Sequence, residues 1–176
     1  MVEPPNGSKH PVIIMMGVCG CGKSTIGSLL AQQLDGRFLD GDDLHPPSNV
    51  EKMRSGTPLG DEDRSEWLEA ILHHISQHDP ADGPLVVACS ALKRRYRERL
   101  RESSATASFI HLHGPRSLLE ARMLERAQHG HHFMPISLLD SQLSTLEDPD
   151  GEPRTWKIEI NDPPESVVQH IVELVS

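Results

Sequence analysis

Eight residues, Gly17 to Ser24 (GVCGCGKS), fit the spacing G-x-x-x-x-G-K-[ST]. Phosphate chemistry needs these residue types in this order. Glycines at Gly17, Gly20 and Gly22 let backbone N–H groups, that of Cys21 included, converge on phosphate oxygens. A helix starting at the end of the loop adds positive potential. Lys23 is placed to bridge the β- and γ-phosphates of a nucleotide, and the Ser24 hydroxyl to bind Mg²⁺. A chance match in a chain of this length has a probability on the order of 1%. Cys19 and Cys21 are small enough for a tight loop, and no further ligands at metal spacing accompany them. A helix N-terminus also lowers the pKa of a nearby thiol, which would make the loop sensitive to alkylation.

Such a loop does not say what receives the phosphate. The guanine-reading Asn-Lys-x-Asp is absent, and the apolar run LVVAC (85–89) ends without an acid. Carboxylates cluster instead in LDGDDLHP, at Asp40, Asp42 and Asp43. Alternation along an extended segment predicts that Asp40 and Asp42 point the same way. One of them can then hold a metal's water shell while the other takes a proton from an acceptor hydroxyl. In the basic run KRRYRERLR, Lys93, Arg97 and Arg101 share a helical face. Only Lys93 lies close to the C-terminal edge of a central strand, where open α/β sheets bind ligands, so the later arginines are expected at the surface. Arg122 and Arg126, four apart, also share a face and suit a helical arm that closes over a nucleotide. Among eleven histidines, His74 and His78 form an i,i+4 pair with no third metal ligand in phase.

These residues need elements to hold them. Val12 to Met16 (VIIMM) is a continuous apolar run, predicting a central parallel strand. Further strands are expected at 37–40, 85–89, 108–112 and 156–160. Helices are expected at 23–34, 63–78 (opened by an Asp63 cap), 91–101, 117–127 (opened by Ser117), 137–146 and 164–175. Residues 41–60 read as loop with a short helix near 50–54, and 129–135 as an interruption between helices. Five alternations of strand and helix predict an α/β fold, a five-stranded parallel sheet covered by helices on both faces. The organisation expected is a loose tail at 1–10 and one domain at 11–176, with a mobile lid at about 122–136.

The chain has 176 residues, 36% hydrophobic, 24% charged and only 3% aromatic, so its core rests on aliphatic side chains. A formal charge of −9 argues against nucleic acid as a partner. No apolar run reaches the roughly 20 residues of a membrane span, and the first residues lack a signal-peptide layout. Three cysteines make no disulfide framework, so a cytoplasmic setting is expected.

Four blocks are more distinctive than the phosphate loop: D-G-D-x-x-H-P, N-x-x-K-M, G-x-P-L-x-D-x-D-R and C-S-A-L-K-x-x-Y-R. They lie in Phe38 to Leu68 and Ala88 to Arg101, followed by GHHFMPISLLDSQLSTLEDP at 130–149. With GVCGCGKS they run in consistent order from Val12 to Pro149, and the chain resembles the gluconokinase family. The resemblance implies a P-loop NTPase fold of the nucleoside-monophosphate-kinase type, similar to shikimate kinase. It also implies phosphorylation of D-gluconate at its 6-hydroxyl, ATP and Mg²⁺ as cofactors, and a homodimer. Carried onto this chain, Gly20, Gly22, Lys23, Ser24 and Thr25 would hold the nucleotide phosphates, with Arg122 and Arg126 over the nucleotide. Asp42, His45, Arg64 and Lys93 would form the sugar-acid site, and Asp40 would lie near the metal. Lys23, Asp42, Lys93 and Arg126 are the residues expected to act in catalysis. A histidine after Arg126 completes the acceptor site; His132 is assigned, with His129 and His131 as alternatives because AQHGHH is about three residues longer than the family's usual stretch. The alternatives are a kinase of the same fold acting on shikimate or another sugar acid, and an ATP-binding regulatory protein that transfers nothing.

Overall fold

The computed structural model describes residues 12–130 and 134–176; the tail expected at 1–10 and His131 and His132 lie outside them. The chain runs β1 (Val12–Met16), α1 (Lys23–Gln33), β2 (Arg37–Asp40), a 3-10 turn (Gly41–Leu44), α2 (Pro47–Arg54) and α3 (Asp61–Gln77). It continues through β3 (Leu85–Ala88), α4 (Arg94–Ser103), β4 (Ser108–His113), α5 (Arg116–Gln128), α6 (Ile136–Thr145), β5 (Thr155–Glu159) and α7 (Pro164–Val175). All four strand pairings are parallel, in the order β2-β3-β1-β4-β5.

Period-2 alternation in β1 divides the core. Ile13 and Met15 face α1, α5, α6 and α7, meeting Ile26, Leu30, Met123, Leu139 and Ile171. Val12, Ile14 and Met16 face α3 and α4, meeting Trp67, Ile71, Tyr96 and Leu100. A strand buried on both faces must be apolar throughout, which is why VIIMM carries no polar residue. The chain leaves β1 for β2 and β3 on one side and reaches β4 on the other. That reversal opens a crevice at the carboxyl end of β1, where Gly17 begins the phosphate loop. Gly17 has φ +144°, and a Cβ there would lie 2.6 Å from the Leu112 carbonyl oxygen, so both conformation and space demand glycine.

Several element boundaries differ from expectation for local reasons. Asp63 is not the cap of α3: it sits in the first turn and its carboxylate takes the Gly60 N–H at 2.9 Å. Helix α5 starts after Pro115, so Ser117 is inside it. Helix α4 starts at Arg94 because Ala91 adopts φ +44° and Lys93 is extended. The buried Arg97 holds that bend, donating to the carbonyls of Ala91 (2.7 Å) and Leu92 (3.1 Å).

Arg97 also corrects the expectation of surface arginines beyond Lys93. It is fully buried and makes a two-pronged pair with Glu152 at 2.9 and 2.6 Å. Arg101 reaches the same carboxylate at 3.0 Å and lies over the Phe109 ring. Burial opposes the Glu152 charge, but the two guanidiniums outweigh it and hold the carboxyl below its ordinary range. Lys93 stands outside the helix, so of the predicted face at 93, 97 and 101 only Arg97 and Arg101 share it, and they tie α4 to the segment before β5. No helix of the described residues is long and apolar enough to cross a membrane.

Candidate active site

At the carboxyl edge of the sheet lies a cleft of about 620 Å³. Its floor is the phosphate loop, with Cys19, Gly20, Gly22, Lys23 and Ser24. One wall carries Asp40, Asp42, Asp43, His45 and Arg64; the other carries Met123, Arg126, Gly130, Met134 and Gln142. Residues far apart in the chain thus meet where the topology reverses.

Lys23 reaches back over its loop and donates to the Val18 carbonyl at 3.2 Å. Burial works against its charge, but the Cys21 sulfur and the Asp42 carboxylate outweigh that and hold the ammonium above its ordinary value. Ser24 donates its hydroxyl to Asp40 Oδ2 at 2.6 Å, so the loop hydroxyl and the first acid of the D-G-D block form one oxygen cluster. Residues 41–44 are not extended, contrary to the alternation argument. Asp40 Oδ1 accepts the Asp42 N–H at 3.0 Å and turns the chain into a 3-10 coil. Gly41 permits this, since a Cβ there would lie 2.4 Å from the Ala88 carbonyl oxygen of β3. Asp40 and Asp42 still line one cleft, brought together by a capped turn.

His45 stacks on Trp67, ring centroids 4.6 Å apart and nearly parallel, and Trp67 is anchored by its indole N–H on the Gly41 carbonyl at 2.7 Å. Burial, reinforced by the Arg64 charge, lowers the His45 pKa to about 4, so the ring is neutral at pH 7. Arg64 is 7% exposed, and burial pulls its pKa down from the usual arginine range, though a guanidinium stays charged in any case. A cation held in place beside neutral polar groups suits an acidic, hydroxyl-bearing ligand.

Not every expected residue joins the cleft. Lys93 is absent from its lining; its ammonium is held by Asp61 at 2.9 Å, a carboxylate that also binds Arg95 and the Tyr96 hydroxyl. Arg122 lies beside Gly22 but donates to the Ile160 carbonyl at 2.8 Å, while Arg126, one turn on, lines the cleft. Thr25 is exposed behind the loop, and the Cys21 side chain is buried beneath it, leaving backbone as what Cys21 can offer a phosphate. The alkylation-prone thiol does not materialise at Cys19: burial pushes it up to about 11. Burial likewise takes Cys89 to about 12.

Among the residues of the site not singled out from the sequence, two are polar and join it to its surroundings. Gln142 of α6 accepts the Cys19 N–H at 2.8 Å, joining the second wall to the loop across 123 residues. Asn49 is 2% exposed behind His45, donating to it and to the Asp63 carbonyl. The Asn of N-x-x-K-M was a visible signal for Asn49; nothing local marked Gln142.

A family model described as shikimate kinase matches residues 19–148. The chain is 44% identical to a probable gluconokinase from Xenopus tropicalis, covering 85% of each chain. It is 40% identical to the thermoresistant gluconokinase of Escherichia coli, covering 94% of each. The chain belongs to the gluconokinase family. A gluconokinase structure from Sinorhizobium meliloti superposes with a TM-score of 0.84 at 43% identity, covering 96% of this chain and 95% of that one. A shikimate kinase from Acinetobacter baumannii, at 19% identity and a TM-score of 0.59, shares the fold. Gluconokinase membership makes the chain a P-loop kinase, and the cleft is where its phosphate loop and acids meet.

The two neutral histidines set an expected pH response. His111 of β4 is also buried, its Nδ1 has no hydrogen-bond partner among the described residues, and its pKa falls to about 4. Burial is the main cause, with His113, Lys157 and Arg97 adding and Asp148 opposing. For both rings the unfolded chain, with a pKa of about 6.5, binds the proton that the folded one refuses. Stability should therefore be level above about pH 7 and fall from about 6.5 down to about 4. Thermal melts across that range check it, and His111→Leu should flatten roughly half of the slope; an unchanged slope would show that His111 does not titrate on unfolding.

Proposed function

We propose that this chain transfers the γ-phosphoryl group of ATP to the 6-hydroxyl of D-gluconate. The observation that carries the reading is one cleft holding a phosphate loop, three acids and the buried Arg64, in a chain 40–44% identical to gluconokinases. Lys23 and the loop N–H groups from Gly20 through Cys21 to Thr25 bind the nucleotide phosphates, while the Gly17 N–H, donating to the Ser90 carbonyl at 3.3 Å, and the Cys19 N–H, donating to Gln142, hold the loop in shape. Arg126 neutralises charge that develops on the transferring group, and Arg122 supports the nucleotide side. Arg64 pairs with the gluconate carboxylate, as does Lys93 on exchanging its Asp61 partner, and His45 meets the hydroxyls. The acceptor oxygen bonds to the γ-phosphorus, the bond to the β–γ bridging oxygen breaks, and Asp42 takes the hydroxyl proton.

Ser24 and Asp40 fit Mg²⁺, a hard oxygen pair touching at 2.6 Å. Among the described residues no group of three or more His, Cys, Asp or Glu could hold a metal, so such a site would draw its other oxygens from phosphates and water. When bound, Mg²⁺ would shield the phosphate charge. His132 is assigned to the acceptor site and the 122–136 segment to a lid closing over the nucleotide. The family likeness also supports a homodimer, which light scattering measures, and three buried free thiols fit the cytoplasm.

The test is ADP release with purified protein and Mg-ATP, offered D-gluconate, shikimate and other sugar acids. Turnover of gluconate is expected. Turnover of shikimate alone, or ATP binding with no acceptor-dependent ADP release, would overturn the reading.

A further inference from the structure

Asn49 has no role in the chemistry above, yet it is the most deeply buried polar side chain on the acid-bearing wall, 2% exposed. Its Nδ2 lies 2.8 Å from the Asp63 backbone carbonyl and 3.2 Å from His45 Nδ1. A carbonyl oxygen only accepts, so the amide nitrogen, not the amide oxygen, must face Asp63. That nitrogen carries two hydrogens, and the second is aimed at the imidazole. A ring nitrogen meeting a donor must present its lone pair. The proton of the neutral ring is then on Nε2, whose atom faces Asp42 Oδ1 from 4.0 Å.

We propose that Asn49 is a positioning residue that fixes His45 as the Nε2–H tautomer, making it an obligate hydrogen-bond donor beside Asp42. Between Nε2–H and the Asp42 carboxylate a hydroxyl finds one acceptor for its proton and one donor for its oxygen. The site thus selects for hydroxyl-bearing acceptors, since a ligand lacking that group leaves the Nε2–H donor of His45 unanswered. The surroundings keep this arrangement. Trp67 fixes the ring plane, and Asp63 is itself held by Lys52 at 2.7 Å and by the Gly60 N–H, so the carbonyl that orients Asn49 cannot drift. The N-x-x-K-M and D-x-D-R blocks are in this view one device, with Asn49 and Lys52 gripping Asp63 and Arg64 following it into the cleft.

The inference rests on the proposed sugar-acid site, and the experiment separates the two. Long-range nitrogen–proton spectra of the full chain, labelled with ¹⁵N-histidine, report which ring nitrogen of His45 carries hydrogen. The signal is assigned by its loss in His45→Gln. The expected result is a bare Nδ1 and a protonated Nε2, with or without acceptor. A protonated Nδ1 in the wild type would overturn the proposal whatever the substrate. Asn49→Asp keeps the shape but offers only acceptors, so Nδ1 should become protonated and KM for the acceptor should rise about tenfold. KM for ATP should stay within about twofold. His45→Gln, whose amide N–H₂ reaches the place of Nε2, should keep KM for the acceptor within about threefold of wild type, and His45→Asn should not. Should Asn49→Asp fail to fold, the wild-type spectrum and the Gln and Asn pair still decide. Equal losses in His45→Gln and His45→Asn, or an unmoved KM in a folded Asn49→Asp whose tautomer has switched, would also overturn it. An expected spectrum with no gluconate turnover would count against the gluconate reading alone, and the KM arm then uses the acceptor that the panel finds.

Discussion

Lys23→Ala should lower the maximal rate of phosphoryl transfer by at least about a hundredfold while leaving the fold intact. The charge lost is the one cation on the loop itself, seated where β- and γ-phosphates would lie and raised above its ordinary pKa by the sulfur and carboxylate around it. A contact that strengthens as charge builds on the transferring group costs rate more than ground-state binding when it is removed. In structural terms the truncation is mild. The side chain gives up two bonds, to the Val18 carbonyl and to the Cys21 sulfur, and lies outside both apolar clusters. The melting temperature of the variant should therefore stay close to wild type, and the rate at saturating ATP and acceptor is the measurement. A rate within about threefold of wild type in a folded variant would mean that the loop is not catalytic.

What the sequence made legible and what it hid divide by distance along the chain. The phosphate loop, the central strand and the D-G-D acids are local: a Gly-rich turn after VIIMM and before an amphipathic helix carries its meaning within about 25 residues. Strand boundaries at Val12–Met16 and Arg37–Asp40 were readable because burial on both faces and a short extended run leave simple patterns. Helix starts were less legible. Asp63 and Ser117 are good capping residues, but Gly60 and Pro115 occupy the cap positions, so each cap lies two or three residues before the residue that looked like it.

Long-range partnerships were invisible. Arg97 in KRRYRERLR looks like any exposed arginine, and it takes Glu152, 55 residues away, with the carbonyls of Ala91, Leu92 and Glu147, to explain its complete burial. Gln142 gives no local sign that it will meet the Cys19 amide. Lys93 shows a partner the sequence did not announce. Its place after a central strand suggested a cleft residue, whereas the D-x-D-R block supplies Asp61 as its partner. Each distinctive block mixes residues that line the cleft with residues that grip their neighbours: Ser90 lines it while Lys93 and Tyr96 hold Asp61, and Met53 lines it while Asn49 and Lys52 hold Asp63. Spacing alone does not separate those two kinds.

The three carboxylates after β2 give the sharpest division of labour, and Asp42→Asn should lose most turnover while binding Mg-ATP nearly as well as wild type. Asp40 is committed on both oxygens, one to the Ser24 hydroxyl at 2.6 Å and one to the Asp42 N–H at 3.0 Å. It therefore belongs with the loop hydroxyl and a cation, and its amide variant should shift the dependence of rate on Mg²⁺. Asp42 is the second residue of the turn that Asp40 caps; it lines the cleft with its Oδ1 4.0 Å from His45 Nε2, and its charge acts on both Lys23 and Arg64. It is the carboxylate placed between the phosphate site and the candidate acceptor site, where the hydroxyl proton must go as the new phosphorus–oxygen bond forms. An amide there keeps the shape and removes the base, so the expected loss is in kcat, on the order of a hundredfold or more. Asp43 also lines the cleft, but the 3-10 turn sends successive side chains roughly 120° apart, so Asp43 cannot take the direction of Asp42. Asp43→Asn should change turnover by less than about threefold. Calorimetry of Mg-ATP binding, together with the maximal rate against Mg²⁺ for all three variants, distinguishes the roles. If Asp43→Asn were the most damaging, the proton acceptor would be one residue further along the turn, and the pairing of His45 with Asp42 would lose its catalytic meaning.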